Sequence, residues 1–265
     1  MSKYSAIIKD VFFNKYIKGK SRIPFVREDL AIACEKLGYA RIKNLGDIPY
    51  SFRFRKELPK EILDTAPKNS EWIIVGTGIA KYEFRLAAPS KIEPTTNRLQ
   101  IKIPDATPEI LKMYAPGTDE QALLTRVRYN RLIDIFLGIT CYSIQNHFRT
   151  TVTGIGQIEV DEIYIGINKR GTHFVIPCQA KSTGDRFGIV QVLQDIELCK
   201  EKYPAAICRP IAIQFTGENE LAILELSVSE SKGVLRLKVV DEKHYTLVPN
   251  GELSADELVQ IGNKE

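Results

Sequence analysis

The chain has 265 residues, 44% hydrophobic and 26% charged, which argues against a disordered or fibrous polypeptide and leaves room for one large or two small domains. Its 37 Lys and Arg against 33 Asp and Glu leave a formal charge of only +4, so bulk charge permits a polyanionic partner without demanding one. Five scattered cysteines without a C-x-x-C pair speak against a disulfide framework or a zinc knot, and no run approaches the ~20 apolar residues of a bilayer span, so a cytoplasmic protein away from membranes is expected.

A helix is predicted over residues 5–16, followed by the basic stretch Lys18-Gly-Lys-Ser-Arg22. A second starts near Phe25, with Leu30, Ala33, Cys34 and Leu37 at helical spacing and Gly38 as its stop. Residues 49–55 alternate Tyr50, Phe52 and Phe54 with Ser51, Arg53 and Arg55, the pattern of a half-buried strand. Residues 71–75 and 81–86 flank Gly76-Thr-Gly78 and read as a hairpin. Helices followed by such strands fit a winged-helix DNA-binding module and a generic small α+β domain equally well. Lys18, Lys20, Arg22, Arg53 and Arg55 either neutralise DNA phosphates or form a solvated surface. Prolines 89, 94, 104, 108 and 116 then punctuate the chain, placing a boundary near residue 100: a module over 1–100 and a second domain over 101–265.

That domain opens on Thr118-Asp-Glu-Gln121, which matches a capping box, and a long helix carrying Leu123, Leu124, Val127, Leu132, Ile135, Phe136 and Ile139. Past Gly138 the chain runs through His147 and Arg149 to a Gly154-Ile-Gly156 turn, an acidic strand, a polar Asn168-Lys-Arg-Gly171 turn and a strand ending Gln179-Ala-Lys181. A polar loop, Ser182-Thr-Gly-Asp-Arg186, leads into an amphipathic helix ended by Pro204. Strands over 207–215 and 221–228 follow, then a hairpin of 234–240 and 244–248 around Asp241-Glu-Lys243, and a terminal helix over 254–261.

In the Gln179 strand, Gln179 and Lys181 share one face while Ile176, Cys178 and Ala180 share the other, a wet face and a dry one. In the acidic strand, Ile158 and Val160 have one parity and Ile163, Ile165 and Ile167 the opposite one. The phase therefore flips at Asp161-Glu162, as a bulge or bend would cause, and such features re-aim side chains beside active sites. Pro177 likewise belongs at an edge, a bulge or a non-pairing position.

Helix, acidic hairpin bearing D…Q-x-K, helix and further strands over about residues 118–228 resemble the PD-(D/E)XK nuclease superfamily. The resemblance implies an α/β, restriction-endonuclease-like core, a mixed central sheet flanked by helices, behind the N-terminal α+β module. It further implies a Mg²⁺-dependent (or Mn²⁺-dependent) DNA endonuclease of restriction or defence type, leaving 5′-phosphate and 3′-hydroxyl ends and acting on duplexes as a homodimer. Residue by residue, it makes Asp161 the metal carboxylate, puts Gln179 where Asp or Glu is usual, and makes Lys181 the catalytic lysine. Gln179 brings an oxygen but no charge, so another acid must help: Glu159 on a regular strand, Glu162 if the strand turns, or the helix acids Asp134 or Glu120. Gln191 and Gln194 face either the site or solvent, and His147 and Arg149 either grip a phosphate or serve structure. The competing readings are a catalytically inactive nuclease fold acting as a DNA-binding regulator or structural partner, and plain cross-strand ion pairs among Glu159, Asp161 and Lys181, worth about 0.2–1 kcal/mol each. P-loop, H-E-x-x-H and G-x-S-x-G motifs are absent from the sequence.

Overall fold

A computed structural model describes residues 2–40, 42–89, 91–114, 119–249 and 251–262. Ser2 caps α1 (Lys3–Lys15) by accepting from the Ser5 N–H, and the helix turns Ile7, Ile8, Val11 and Phe12 inward. There they meet β1 (Arg22–Val26), α2 (Arg27–Lys36), α3 (Asp47–Phe54), α4 (Lys60–Leu63) and the hairpin of β2 (Glu71–Gly78) and β3 (Lys81–Ala87). Aromatic rings dominate this core: Phe84 packs edge-on to Phe12 at 5.0 Å and stacks on Phe25 at 4.6 Å. β3 pairs antiparallel with both β1 and β2.

The segment expected as a strand over residues 49–55 is helical instead. Ile48 and Phe52, four apart, are the buried pair, while Tyr50 and Phe54, also four apart, lie together on the outer face with ring centroids 5.0 Å apart. Alternation over seven residues contains a period-four subset, and Ile48, just outside that window, decides for the helix. Arg53 and Arg55 consequently part company: Arg55 stacks over Tyr50 on the outside, and Arg53 turns inward.

The chain continues through β4 (Lys91–Ile92), β5 (Gln100–Pro104), α5 (Glu109–Tyr114), α6 (Glu120–Tyr129) and α7 (Leu132–Leu137). Thr118 of the expected capping box lies outside the described residues; the cap is Asp119, whose carboxylate accepts from the Ala122 N–H at 2.9 Å. The long helix expected here is broken in two because Asn130 is buried and fully used. Its amide donates to Arg126 O, Asp105 Oδ1 and Thr107 Oγ1 and accepts from Ala106 N–H, and Arg131 then turns left-handed at φ 50°.

The remaining elements are β6 (Thr140–Val152), β7 (Gly156–Ile167), β8 (His173–Lys181), β9 (Phe187–Gly188), α8 (Ile189–Lys202), β10 (Ile207–Cys208), β11 (Ile211–Phe215), β12 (Glu220–Ser231), β13 (Val234–Val248) and α9 (Ala255–Gly262). Among the described residues eleven strands form one mixed sheet in the order β1-β3-β13-β12-β11-β8-β7-β6, with β2 on β3, β5 on β13 and β10 on β8. Helices α6 and α7 cover one face over a core of Leu123, Phe136, Ile176 and Ile213, and α8 covers the other. The fold is thus α/β, a large mixed sheet flanked by helices.

Residues 234–248 form one strand, not the expected hairpin. Of the charges that suggested a turn, Glu242 is buried and pairs with His244 at 2.8 Å, with Thr95 also donating to it, while Asp241 is exposed. The reversal lies instead at Lys232-Gly233, where Gly233 has φ +75° and a Cβ would collide with the Ser21 hydroxyl. That close approach lets β13 run on from β3, Val234 beside Leu86 and Leu235 beside Ala87, so the sheet passes unbroken from the N-terminal elements into the rest. β5 already joins β13 from residue 100 onward. None of the described helices is long and apolar enough to cross a membrane.

Candidate functional site

Strands β7 and β8 pair from Ile167 with His173 down to Glu162 with Cys178, and there they part. On the other side of β7 the pairing with β6 skips one position, Asp161 opposite His147, and His147 has φ 46°, a left-handed conformation uncommon for histidine. A second irregularity between Ser143 and Gln145 lies two residues away. The phase flip read from the sequence is therefore a real kink: Ile158 and Val160 before it, and Ile163 and Ile165 after it, all join the same core under α8. Pro177 also sits where pairing lapses, in the gap between β10 (paired to Phe174 and Val175) and β11 (paired from Cys178).

Freed from the ladder, the Asp161 carboxylate accepts from the Ala180 N–H at 2.8 Å and so bridges the two parting strands. Burial pushes its pKa up, against the pull of that hydrogen bond and of the Lys181 and His147 charges. Gln179 is only 3% exposed: the face expected to be wet is roofed by α8. Its amide nitrogen donates to both carboxylate oxygens of Asp195, at 3.0 and 3.2 Å, and its carbonyl oxygen accepts from Gln191 at 2.6 Å. Asp195 is 1% exposed, and burial pushes its pKa well up, Gln179 offsetting and Asp161 adding to the effect. Asp195 was missed from the sequence. Its signal was there, because Gln191 and Asp195 are four apart and share the helix face that meets Gln179.

Around this centre Glu159, two residues before Asp161, is exposed and paired with Arg149 at 3.0 Å and His147 at 3.5 Å. The Arg149 hydrogen bond holds its carboxyl below the usual range. Lys181 ends β8, and at its edge Glu120 accepts from both the backbone and the hydroxyl of Ser182. Five expected residues are elsewhere. Glu162 faces the opposite side of the sheet, fully buried and gripped by Arg128 at 2.9 and 3.0 Å, since strand alternation turns it away from Asp161. Asp134 caps the start of β6 through the Cys141 N–H. Gln194 and Arg53 line a separate cavity, treated below, and Arg55 lies on the outer face of α3.

A part-buried carboxyl, Asp161, a buried one, Asp195, an amide and Lys181 thus converge where strands β7 and β8 separate. Among the described residues no group of three or more His, Cys, Asp or Glu is placed to hold a metal ion. A cation here would rest on Asp161, Asp195, the Gln179 amide oxygen and water, a hard-oxygen set of the kind Mg²⁺ accepts with one or two carboxylates. The donor chemistry fits, since both carboxyls are raised by burial and a nearby positive charge would favour their ionised forms. Gln179→Glu sets a carboxylate against Asp195 in place of a donor, so it is expected to lower stability in EDTA by about 3–5 kcal/mol near neutral pH. Folding would then favour a shared proton, so the loss shrinks as pH falls; urea unfolding at two pH values checks both, and a neutral substitution would show that Asp195 does not face this side chain.

Comparison of the chain with protein-family models, with curated proteins and with solved structures finds no match.

Proposed function

We propose that this chain is a Mg²⁺-dependent endonuclease that hydrolyses DNA phosphodiester bonds, of restriction or defence type, with a restriction-endonuclease-like core. One observation carries the reading: Asp161 is released from strand pairing at the kink and held beside Lys181, Gln179 and the buried Asp195. When bound, the metal would supply Lewis-acid stabilisation of the phosphorane and a more acidic water. Asp161 and Asp195 would hold it. A 180° flip of the Gln191 and Gln179 amides preserves a hydrogen bond between them and turns the Gln179 oxygen toward the two carboxyls. Lys181 would orient the attacking water and stabilise charge developing on the phosphate oxygens, and Arg149 and His147, exposed beside Glu159, would hold a neighbouring phosphate.

The N-terminal elements support a winged-helix reading. Their order is helix, strand, three helices, the last of only four residues, and hairpin, with β1 on the free side of β3, and α3 presents Tyr50, Phe54 and Arg55 outward. A homodimer in the cytoplasm, one site per strand, completes the proposal.

A second reading, a catalytically silent DNA-binding regulator, draws on the engagement of both ends of the Gln179 amide by neighbours. Supercoiled plasmid incubated with the full chain separates the two. Nicked and linear products with Mg²⁺ or Mn²⁺ and none with EDTA are expected; intact plasmid that is nonetheless retarded in a gel would favour the regulator.

A further inference from the structure

A cavity of 260 Å³ lies away from the Asp161 centre, between the N-terminal hairpin and the opposite flank of α8. Val75, Val190 and Leu193 supply apolar walls; the polar lining comes from Arg53, Arg85, Thr77, Thr153, Gln194 and Glu197. Arg53 is the unusual member. Its Nε and Nη2 are both buried and, among the described residues, have no hydrogen-bond partner. This edge of the guanidinium is the one with which Arg128 grips Glu162 and Arg209 grips Glu225 through two parallel bonds in this same chain. A buried guanidinium left this way is costly, and desolvation pulls its pKa down.

The other charges facing the cavity are already matched. Arg85 is held by Glu230 at 2.7 Å and lies 3.7 Å from Glu83, although its Nε, too, is buried without a hydrogen bond. Glu197 is paired outward with Lys200 at 2.6 Å. The surplus charge is therefore positive. The walls are also shaped to hold Arg53 in place: a Cβ on Gly76 would come within 3.1 Å of the Ile155 carbonyl and 3.7 Å of Arg53 Nη2. Phe54 backs the guanidinium plane at 4.9 Å.

We propose that this cavity is a phosphate-binding site, in which Arg53, lining it, turns its covered and unpartnered Nε and Nη2 edge onto two oxygens and the Thr77 and Thr153 hydroxyls offer donors to the others. A tetrahedral anion with oxygens in several directions suits this lining better than a planar carboxylate, which would use the guanidinium edge alone. The phosphate comes either from a nucleic-acid backbone laid across the seam between the hairpin and α8, or from a free phosphate or mononucleotide.

The test uses the full chain in EDTA, so cleavage at Asp161 does not enter and the site stands or falls apart from the nuclease reading. One arm titrates inorganic phosphate and a 5′-deoxynucleoside monophosphate by calorimetry. The other measures affinity for a 30-base-pair duplex against salt concentration, the length being of the order of a standard protein–DNA footprint. Arg53→Gln is expected to weaken binding about tenfold in one arm. If the source is a free phosphate, the loss appears in the first arm. If it is a DNA backbone, the loss appears in the second, evenly across sequences and with a salt slope reduced by about one. Arg170→Gln, which removes a charge at the exposed turn between β7 and β8, should change the free-phosphate arm not at all and the duplex arm less. Should Arg53→Gln fail to fold, Thr153→Glu, at an exposed position of the rim, places a carboxylate at the mouth and must give the same loss. Unchanged binding in both arms for the folded variants overturns the proposal.

Discussion

In single-turnover cleavage of supercoiled DNA, Lys181→Ala is expected to lower the rate about 10²–10³-fold, and Asp161→Asn at least as much. The two losses differ in origin. Asp161 is the carboxyl that the kink presents, so its amide should also abolish the rise in melting temperature that Mg²⁺ is expected to give the wild type. Lys181→Ala should keep that rise, because in the proposed mechanism the lysine would act on water and phosphate and not ligate. Asp195 decides how the missing charge of Gln179 is supplied. If it is the second carboxylate, Asp195→Asn shifts the Mg²⁺ concentration for half-maximal rate upward by about tenfold or more, and excess metal recovers part of the activity. A variant with wild-type metal dependence would reduce Asp195 to a structural partner of Gln179. Mn²⁺ in place of Mg²⁺ offers a further contrast, since it tolerates nitrogen and neutral ligands more readily.

The largest loss of stability is expected on the other side of the same strand. Glu162 is fully buried, and its charge is met by Arg128 with two hydrogen bonds and by the Ser143 hydroxyl. Arg128→Met leaves that carboxylate unpaired in the interior and should cost about 3–5 kcal/mol in urea unfolding. Replacing both partners, Arg128→Met with Glu162→Leu, removes the desolvated charge together with its partner and should recover most of the loss. A single variant within about 0.5 kcal/mol of wild type would mean that Ser143 and solvent suffice for Glu162. Activity is a useful companion measurement. Glu162 follows Asp161 directly, so collapse of the pair is expected to loosen the kink and lower the rate more than a distant core substitution of equal cost.

How much of this was legible in the residues follows from what each signal depends on. The flip of apolar phase at Asp161-Glu162 is a local property of one strand, and the structure shows the change of phase between Val160 and Ile163. The helix α8 was equally readable, from Ile189, Leu193 and Ile196. What it holds against Gln179 was only partly so: Gln191 stayed open between site and solvent, and Asp195, four residues on, finds its place only once the helix is seen lying over the sheet. Glu162 went astray for a related reason: neighbours in sequence look interchangeable as ligands, yet in a strand they face opposite sides. The helix over 47–54 and the unbroken β13 were hidden by short patterns that two structures satisfy: Ile48, beyond the first window, decides for the helix, and burial of Glu242 against His244 keeps β13 in one piece. The order of the sheet, with β13 continuing β3, rests on contacts between residues nearly 150 apart, and no local pattern carries that.

The kink at Asp161 and His147 has one more effect, on the outermost strand. Among the described residues β6 is the free edge of the sheet, thirteen residues long, with Tyr142 60% and Ile144 49% exposed. A straight edge of that length and character is a template on which a foreign strand, or a half-folded copy of the same chain, can crystallise its own hydrogen bonds. The irregularity at Ile144 and the left-handed turn of His147 chop it into runs too short to serve. The distortion that brings a carboxylate out of the ladder therefore also guards the protein against aggregation, and smoothing it would be expected to cost solubility along with the site.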